Sequence, residues 1–401
     1  MQPASTRVET APLNAFVAAI GNRAWRDRIA ALQTAGAAHT HLGRQTLQCH
    51  CIELTIERLR SRPLTRPASI AERFIAGYAN AAVETLANLG PAGRERLLAL
   101  LRTALAGSET LVTPFHLLRT AAMHRSRGFA VHFAALEDEA PFDLLIERAG
   151  MEAEVACDVI SAEDGRGVNR GAWFRLVDAI DPELQTWLRT HPGRYLLKMT
   201  LPQGLKATPD ADLLATLHTR ITQMLSSQRR AEGDEAAVLR LDPLMLAAAQ
   251  ADELGLMPRL RQEFGPEAHL SVTTAGGGVF VMAARAGREN QVAGAVRRRL
   301  AAVAPARLTG TRPGIIAMFI EDTDRAEWRL LRDRLQLEGE TRQFMTNPEA
   351  RSVVAVTCTS RLELFGLPEP DAAPDGELRF RNPAHPAAKA EALAPAVLSS
   401  V

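Results

Sequence analysis

Lysine is nearly missing from this sequence. Of its 47 basic residues only Lys198, Lys206 and Lys389 are lysines, and the other 44 are arginines. With the abundance of alanine, this is the residue usage of a GC-rich genome, and it leaves a catalytic lysine few places to be. Basic and acidic residues nearly cancel, 47 against 46, so a generally basic coat for nucleic acid is excluded and any such contact needs a local patch. Aromatic residues are only 5%, too few to indicate a stacking platform for single strands. Cysteine is limited to Cys49, Cys51, Cys157 and Cys358. That excludes a disulfide scaffold, and all four read as reduced thiols of a cytoplasmic protein. No apolar run approaches 18 residues, which excludes a membrane-spanning helix, and the first residues lack a secretory pattern.

What is present is ordinary globular material. The 401 residues are 46% hydrophobic and 23% charged, enough chain for two or three domains. Residues 1–12 read as a loose leader. From Leu13 to Ala106 apolar residues recur at helical spacing, as at Ile52, Ile56 and Leu59, and predict three to five helices. Thr113-Pro114 opens a further helix that Gly128 ends. Phe129–Phe133, Phe142–Glu147 and Glu152–Ile160 then read as three strands, Ala172–Ala179 as a helix and Tyr195–Leu201 as a fourth strand. Beyond Pro202 come a helix over Leu213–Gln228 and strands at His269–Thr273 and Val279–Ala283. A helix over Ala293–Val303, a strand over Gly314–Ile320, a helix over Arg325–Leu337 and a strand over Val353–Thr357 follow. Five prolines make 366–386 irregular, and 387–401 reads as an alanine-rich flexible tail.

The chemistry is concentrated between Gly128 and Arg166, a stretch that contains FDLLIERAG followed by MEAEVACDVISAEDGR. In the third strand Glu152, Glu154, Ala156 and Asp158 share one face, while Ala153, Val155, Cys157 and Val159 share the other, apolar one. Asp143 begins the preceding strand, so a hairpin would bring it to one or two of these carboxylates. Converging carboxylates repel unless a cation joins them. Mg²⁺ is commonly held by one or two carboxylates and can activate water against a phosphodiester.

This stretch resembles the PD-(D/E)xK restriction-endonuclease-like superfamily. That family's core is a helix, a three-stranded meander, a helix and a fourth strand, with an Asp opening the second strand and an acidic-x-Lys tripeptide in the third. Asp143 matches the first element, and EVACDVISAEDGR is similar to a bacterial subgroup whose third strand reads approximately Glu-Val-Glu-Cys-Lys before a Gly-Arg. The likeness is closest from Pro114 to Ile180 and looser as far as RPGIIAMFIED and RFRNPAHP. No register supplies the lysine: Asp158 or Ala156 stands in its place, or Glu152 and Glu154 form an acidic-x-acidic pair. Lys198 in the fourth strand is the one lysine that could substitute.

The resemblance implies an α/β fold with a restriction-endonuclease-like core, a mixed sheet flanked by helices. The expected regions are an N-terminal helical region (1–108), the core (109–205), a C-terminal αβ region (206–386) and the tail (387–401). It implies an Mg²⁺- or Mn²⁺-dependent nuclease with Asp143 and Glu154 as metal ligands, Asp158 as a third ligand or base, and Lys198 as the displaced lysine. Arg166 and Arg170 would touch a nucleic-acid backbone, DNA ahead of RNA. The alternative is an inactive nuclease fold kept for binding nucleic acid or protein. A plain hairpin with a solvated acidic face is the structural reading beside both.

Other clusters carry less. His39, His41, Cys49, His50 and Cys51 have one-residue gaps on a helix, where neighbours two apart do not face each other, so a zinc site is disfavoured. Gly276-Gly277-Gly278 leads into a strand and reads as a hairpin turn rather than a phosphate loop. Ser161 with His132 or His191 lacks the turn of a hydrolase nucleophile. Arg229-Arg230 and Arg297-Arg298-Arg299, with Arg307 and Arg312, are phosphate-contact candidates that read first as solvated faces.

Overall fold

Alternating apolar residues and a glycine turn build the central hairpin. The computed structural model describes residues 9–38, 40–61, 66–208, 211–243, 253–265 and 267–400. Among these the strands are β1 (Ala130–His132), β2 (Leu144–Arg148), β3 (Met151–Ser161), β4 (Arg194–Leu201), β5 (Ala231–Gly233), β6 (Val238–Pro243), β7 (His269–Ala275), β8 (Gly278–Ala286), β9 (Gly314–Glu321), β10 (Val353–Ser360) and β11 (Leu378–Arg381). Most of the expected leader and His39 lie outside the described residues.

The chain divides into two compact units. One comprises Met1–Ala37, Thr46–Ala162 and Ala293–Val401, the other Ala38–Gln45 and Glu163–Val292. The first holds a six-stranded mixed sheet in the order β1-β2-β3-β9-β10-β11. β2 and β3 pair antiparallel, Leu144 opposite Val155, while β9 runs parallel to β3 and to β10. β9 and β10 are mostly apolar and buried along nearly their whole length, the signature of strands covered on both faces. Ala153 and Val155 of β3 enter a core shared with Leu144, Ile146, Phe319 and Phe115, so the expected apolar face of β3 forms. The helix Val112–Ser126 is buried on nearly all sides, not on one face, because it lies within this core.

The helical region from Thr10 to Thr103 contains six described helices rather than three to five. The extra ones arise at the breaks Gly21 and His50, which the apolar spacing runs through. The expected helix over Arg325–Leu337 is broken: Leu335 takes φ 56° between helices Arg325–Asp333 and Gln336–Met345. The expected flexible tail is packed instead. Leu393, Ala396 and Val397 are fully buried in the core of this unit.

The second unit is a five-stranded sheet in the order β5-β6-β4-β8-β7. Helices Arg170–Thr190 and Ala211–Ser226 cover one face, burying Trp173, Leu176, Leu217 and Ile221 on Leu197, Met199, Phe280 and Met282. The Gly276-Gly277 turn joins β7 to β8 with φ 57° and 76°, the positive values a two-residue hairpin demands.

The strand expected to complete the nuclease-like core forms as β4, but it belongs to the second sheet, between β6 and β8. The strand beside β3 in the first sheet is β9, reached through the helix Val292–Arg307. Residues 163–292 are thus an insertion between β3 and that helix.

Candidate functional site

Asp143, Glu154 and Asp158 all meet one segment, the helix Val292–Arg307 and the loop after it. Asp143 Oδ2 accepts from the Cys157 backbone N–H at 2.6 Å and from Arg307 Nη2 at 2.8 Å. Burial pushes the Asp143 carboxyl above the ordinary aspartate range, and the Arg307 guanidinium pulls it back. Asp158 takes a two-pronged bond from Arg299, with Nη2 to Oδ1 at 2.8 Å. Glu154 is fully buried and accepts from the Thr309 N–H at 2.8 Å and from the Thr309 hydroxyl. Arg312 bonds Glu152 at 2.6 Å and stands 3.8 Å from Glu154.

The segment 299–312 therefore brings a donor to Asp143, Glu152, Glu154 and Asp158. Sequence reasoning singled out the acids and also the arginines, but not that they are each other's partners. The matching signal was the near-helical spacing of Arg299 and Arg307, eight residues apart on one helix face.

A cavity of about 530 Å³ opens at this place, lined by Asp143, Asp158, Arg299, Arg307, His116 and Cys157 among others. Its walls carry both signs of charge. Burial and the nearby Asp143 push the Cys157 thiol well up, so it is no nucleophile at neutral pH. His116, part of this lining, is 1% exposed, with its Nε2 2.9 Å from the Ala317 carbonyl oxygen.

A divalent cation does not fit these residues as they stand. Asp143 Oδ2 and both oxygens of Glu154 and of Asp158 already hold guanidinium, hydroxyl or backbone donors. Among the described residues, no three His, Cys, Asp or Glu side chains are placed to hold a metal ion.

The remaining candidates are elsewhere. Lys198 belongs to the second sheet, not to the sheet that holds the β2–β3 hairpin, and pairs with Asp242 at 3.4 Å. Arg166 and Arg170 belong to the same unit and are both tied to Glu163. The His/Cys group disperses: His41 pairs with Asp178, His50 with Glu53, Cys49 with Asp322 and Cys51 with Arg361. Ser161 donates to Asp322 at 2.6 Å, while His132 pairs with Asp138 and His191 stacks on Trp187.

Burial pushes the His116 imidazole down to about 4 and that of His124 to about 3. Both are neutral in the folded chain at pH 5 and would be protonated once unfolded, so unfolding takes up protons. Stability should then fall as pH drops from about 6.5 toward 4, by about 1.4 kcal/mol per pH unit for each such histidine. Urea unfolding between pH 7 and 5 tests this. His124→Gln should remove about one proton from the uptake, and an unchanged slope would refute the assignment.

No family model, curated protein or solved structure matches this chain. Among the described residues, no helix is long and apolar enough to cross a membrane.

Proposed function

We propose that this chain is a non-cleaving, nuclease-like protein that works by binding nucleic acid. The observation that carries the reading is the matching of Asp143, Glu154 and Asp158 by Arg307, Thr309 and Arg299. Metal-dependent hydrolysis needs carboxylate lone pairs open to a cation. Here fixed guanidinium groups supply the positive charge instead. The absence of the motif lysine points the same way.

The nuclease-like ancestry is supported by element order. The helix Val112–Ser126, the meander β1-β2-β3, the helix Val292–Arg307 and β9 follow the order that the family resemblance implies, with residues 163–292 inserted. Arg297, Arg298, Arg299, Arg307 and Arg312 gather on one helix and its following loop, and Arg298 is exposed. Each guanidinium has five N–H donors, so one held by a carboxylate still has donors for a phosphate.

Calorimetry with Mn²⁺ tests the reading without a guessed substrate. The wild type, Asp143→Ala and Glu154→Ala should all show no saturable heat at millimolar metal, and no oligonucleotide should be cut. Saturable binding abolished in both variants, or metal-dependent cleavage, would overturn it.

A further inference from the structure

The sheet of the inserted unit has one face closed and one face charged. Leu197, Met199 and Leu201 of β4, Leu239 and Leu241 of β6, and Phe280, Met282 and Ala284 of β8 line the closed face. Strand alternation therefore sends Arg194 and Lys198 of β4, Arg240 and Asp242 of β6, and Arg285 of β8 to the other. Leu260 of the helix Glu253–Phe264 covers part of that face, over Leu196, Val281, Ala283 and Leu270. The cations lie beside this cover and are exposed.

Register brings them together. Lys198 is directly opposite Arg240, and Thr200, two residues on, is opposite Arg285. Lys198 and Arg240 share a single carboxylate, Asp242, at 3.4 and 3.1 Å. Arg194 and Arg285 make no ion pair among the described residues. Among the described strand residues of this face, four cations thus stand against one acid, in a chain whose overall charge is balanced. This is a segregated basic patch, not a background excess.

We propose that this face binds the phosphate backbone of single-stranded nucleic acid, an inference that rests on reading the chain as a nucleic-acid-binding protein. The cations sit on three adjacent strands, about 10 Å across at the usual strand spacing, around the helix that covers Leu196, Val281 and Ala283. A flexible single strand can bend from one cation to the next around that cover, whereas a rigid duplex cannot. None of the strand residues on this face is aromatic, so bases have nothing to stack on and sequence preference should be weak. The chemistry also gives Lys198 a role: a point charge for phosphate, with Arg240 and Arg285 as forked donors beside it.

Fluorescence anisotropy with labelled oligo(dT) and oligo(U) is the test, run on the full chain between about 50 and 200 mM salt. Four phosphate contacts predict a log–log salt slope of about −2.8, at about 0.7 per contact for single strands. Lys198→Glu/Arg240→Glu/Arg285→Glu should weaken binding more than tenfold and flatten the slope, with its melting temperature checked. The alanine triple variant, which cannot add repulsion, should flatten the slope by about 2. Binding that survives both triple variants, or equal affinity for a duplex, would overturn this inference and leave the nucleic-acid reading standing. If the wild type binds no nucleic acid even at low salt, that reading fails and this inference fails with it.

Discussion

Arg299→Ala combined with Arg307→Ala should turn a chain indifferent to Mn²⁺ into one whose melting temperature rises with it. The two guanidinium groups neutralise Asp158 and Asp143, each mostly buried, at 10% and 16% side-chain exposure. Asp158 already helps to raise the Asp143 carboxyl with both arginines in place. Without them two carboxylates face each other in a half-enclosed cavity, and the choice is between protonation and a cation. At low metal the double variant should be less stable than the wild type. Mn²⁺ at a hundredfold excess over its dissociation constant would return about 2.7 kcal/mol. Arg297→Ala, which frees Glu340 instead, should show no such response. If the double variant also ignores millimolar Mn²⁺, the arginines are not what closes this site to metal.

Arg28→Ala should cost about 3–5 kcal/mol, the range for stripping one partner from a buried charged network. Arg28 donates to the carbonyls of Gly107 and Glu109 at 2.6 and 2.7 Å, joining its helix to the turn before the helix Val112–Ser126. It also faces the wholly buried Glu53 at 3.9 Å, with His50 Nδ1 between them, 2.9 Å from Arg28 and 3.1 Å from Glu53. Truncation leaves Glu53 with a single histidine partner and leaves two carbonyls unpaired. Arg28→Met with Glu53→Gln should be less damaging than Arg28→Ala alone, because no charge is then stranded. Urea denaturation of the three chains decides it, and a loss under about 1 kcal/mol for Arg28→Ala would show that the network relaxes around the gap.

The local elements were legible where one face of a strand had to be apolar. Ala153, Val155 and Cys157 alternate with Glu152, Glu154 and Asp158, so the register of β3 was fixed by its own composition. The glycine turn between β7 and β8 was equally plain. What could not be read was pairing between distant strands. The apolar runs of β4 and β9 look alike in sequence, and nothing local says which of them lies beside β3. Short pieces were also missed: β5 and β11 have only three and four residues, too few for alternation to show, and β11 sits among prolines that argue against a strand. For the candidate site, the acids and arginines were each visible, but their pairing depends on the return of residues 299–312 to β3. That is a property of the fold, not of any motif.

The inserted unit enters and leaves at one point: the Gln291 N–H bonds the Gly165 carbonyl at 2.7 Å, and Gly165 packs against the Val292 backbone so closely that a side chain there would collide. This bears on how the central sheet assembles in time. β3 and β9 pair Glu154 with Gly314, a contact that a random chain would reach only by closing a very long loop. Once residues 163–292 have folded and their ends have met, that loop shrinks from about 160 residues to about 30, lowering the entropic cost of closure by about 1.5 kcal/mol. Until then β3 carries an unpaired edge, open to pairing with other chains. Early closure of the insertion thus sets how long the nascent sheet is vulnerable to aggregation.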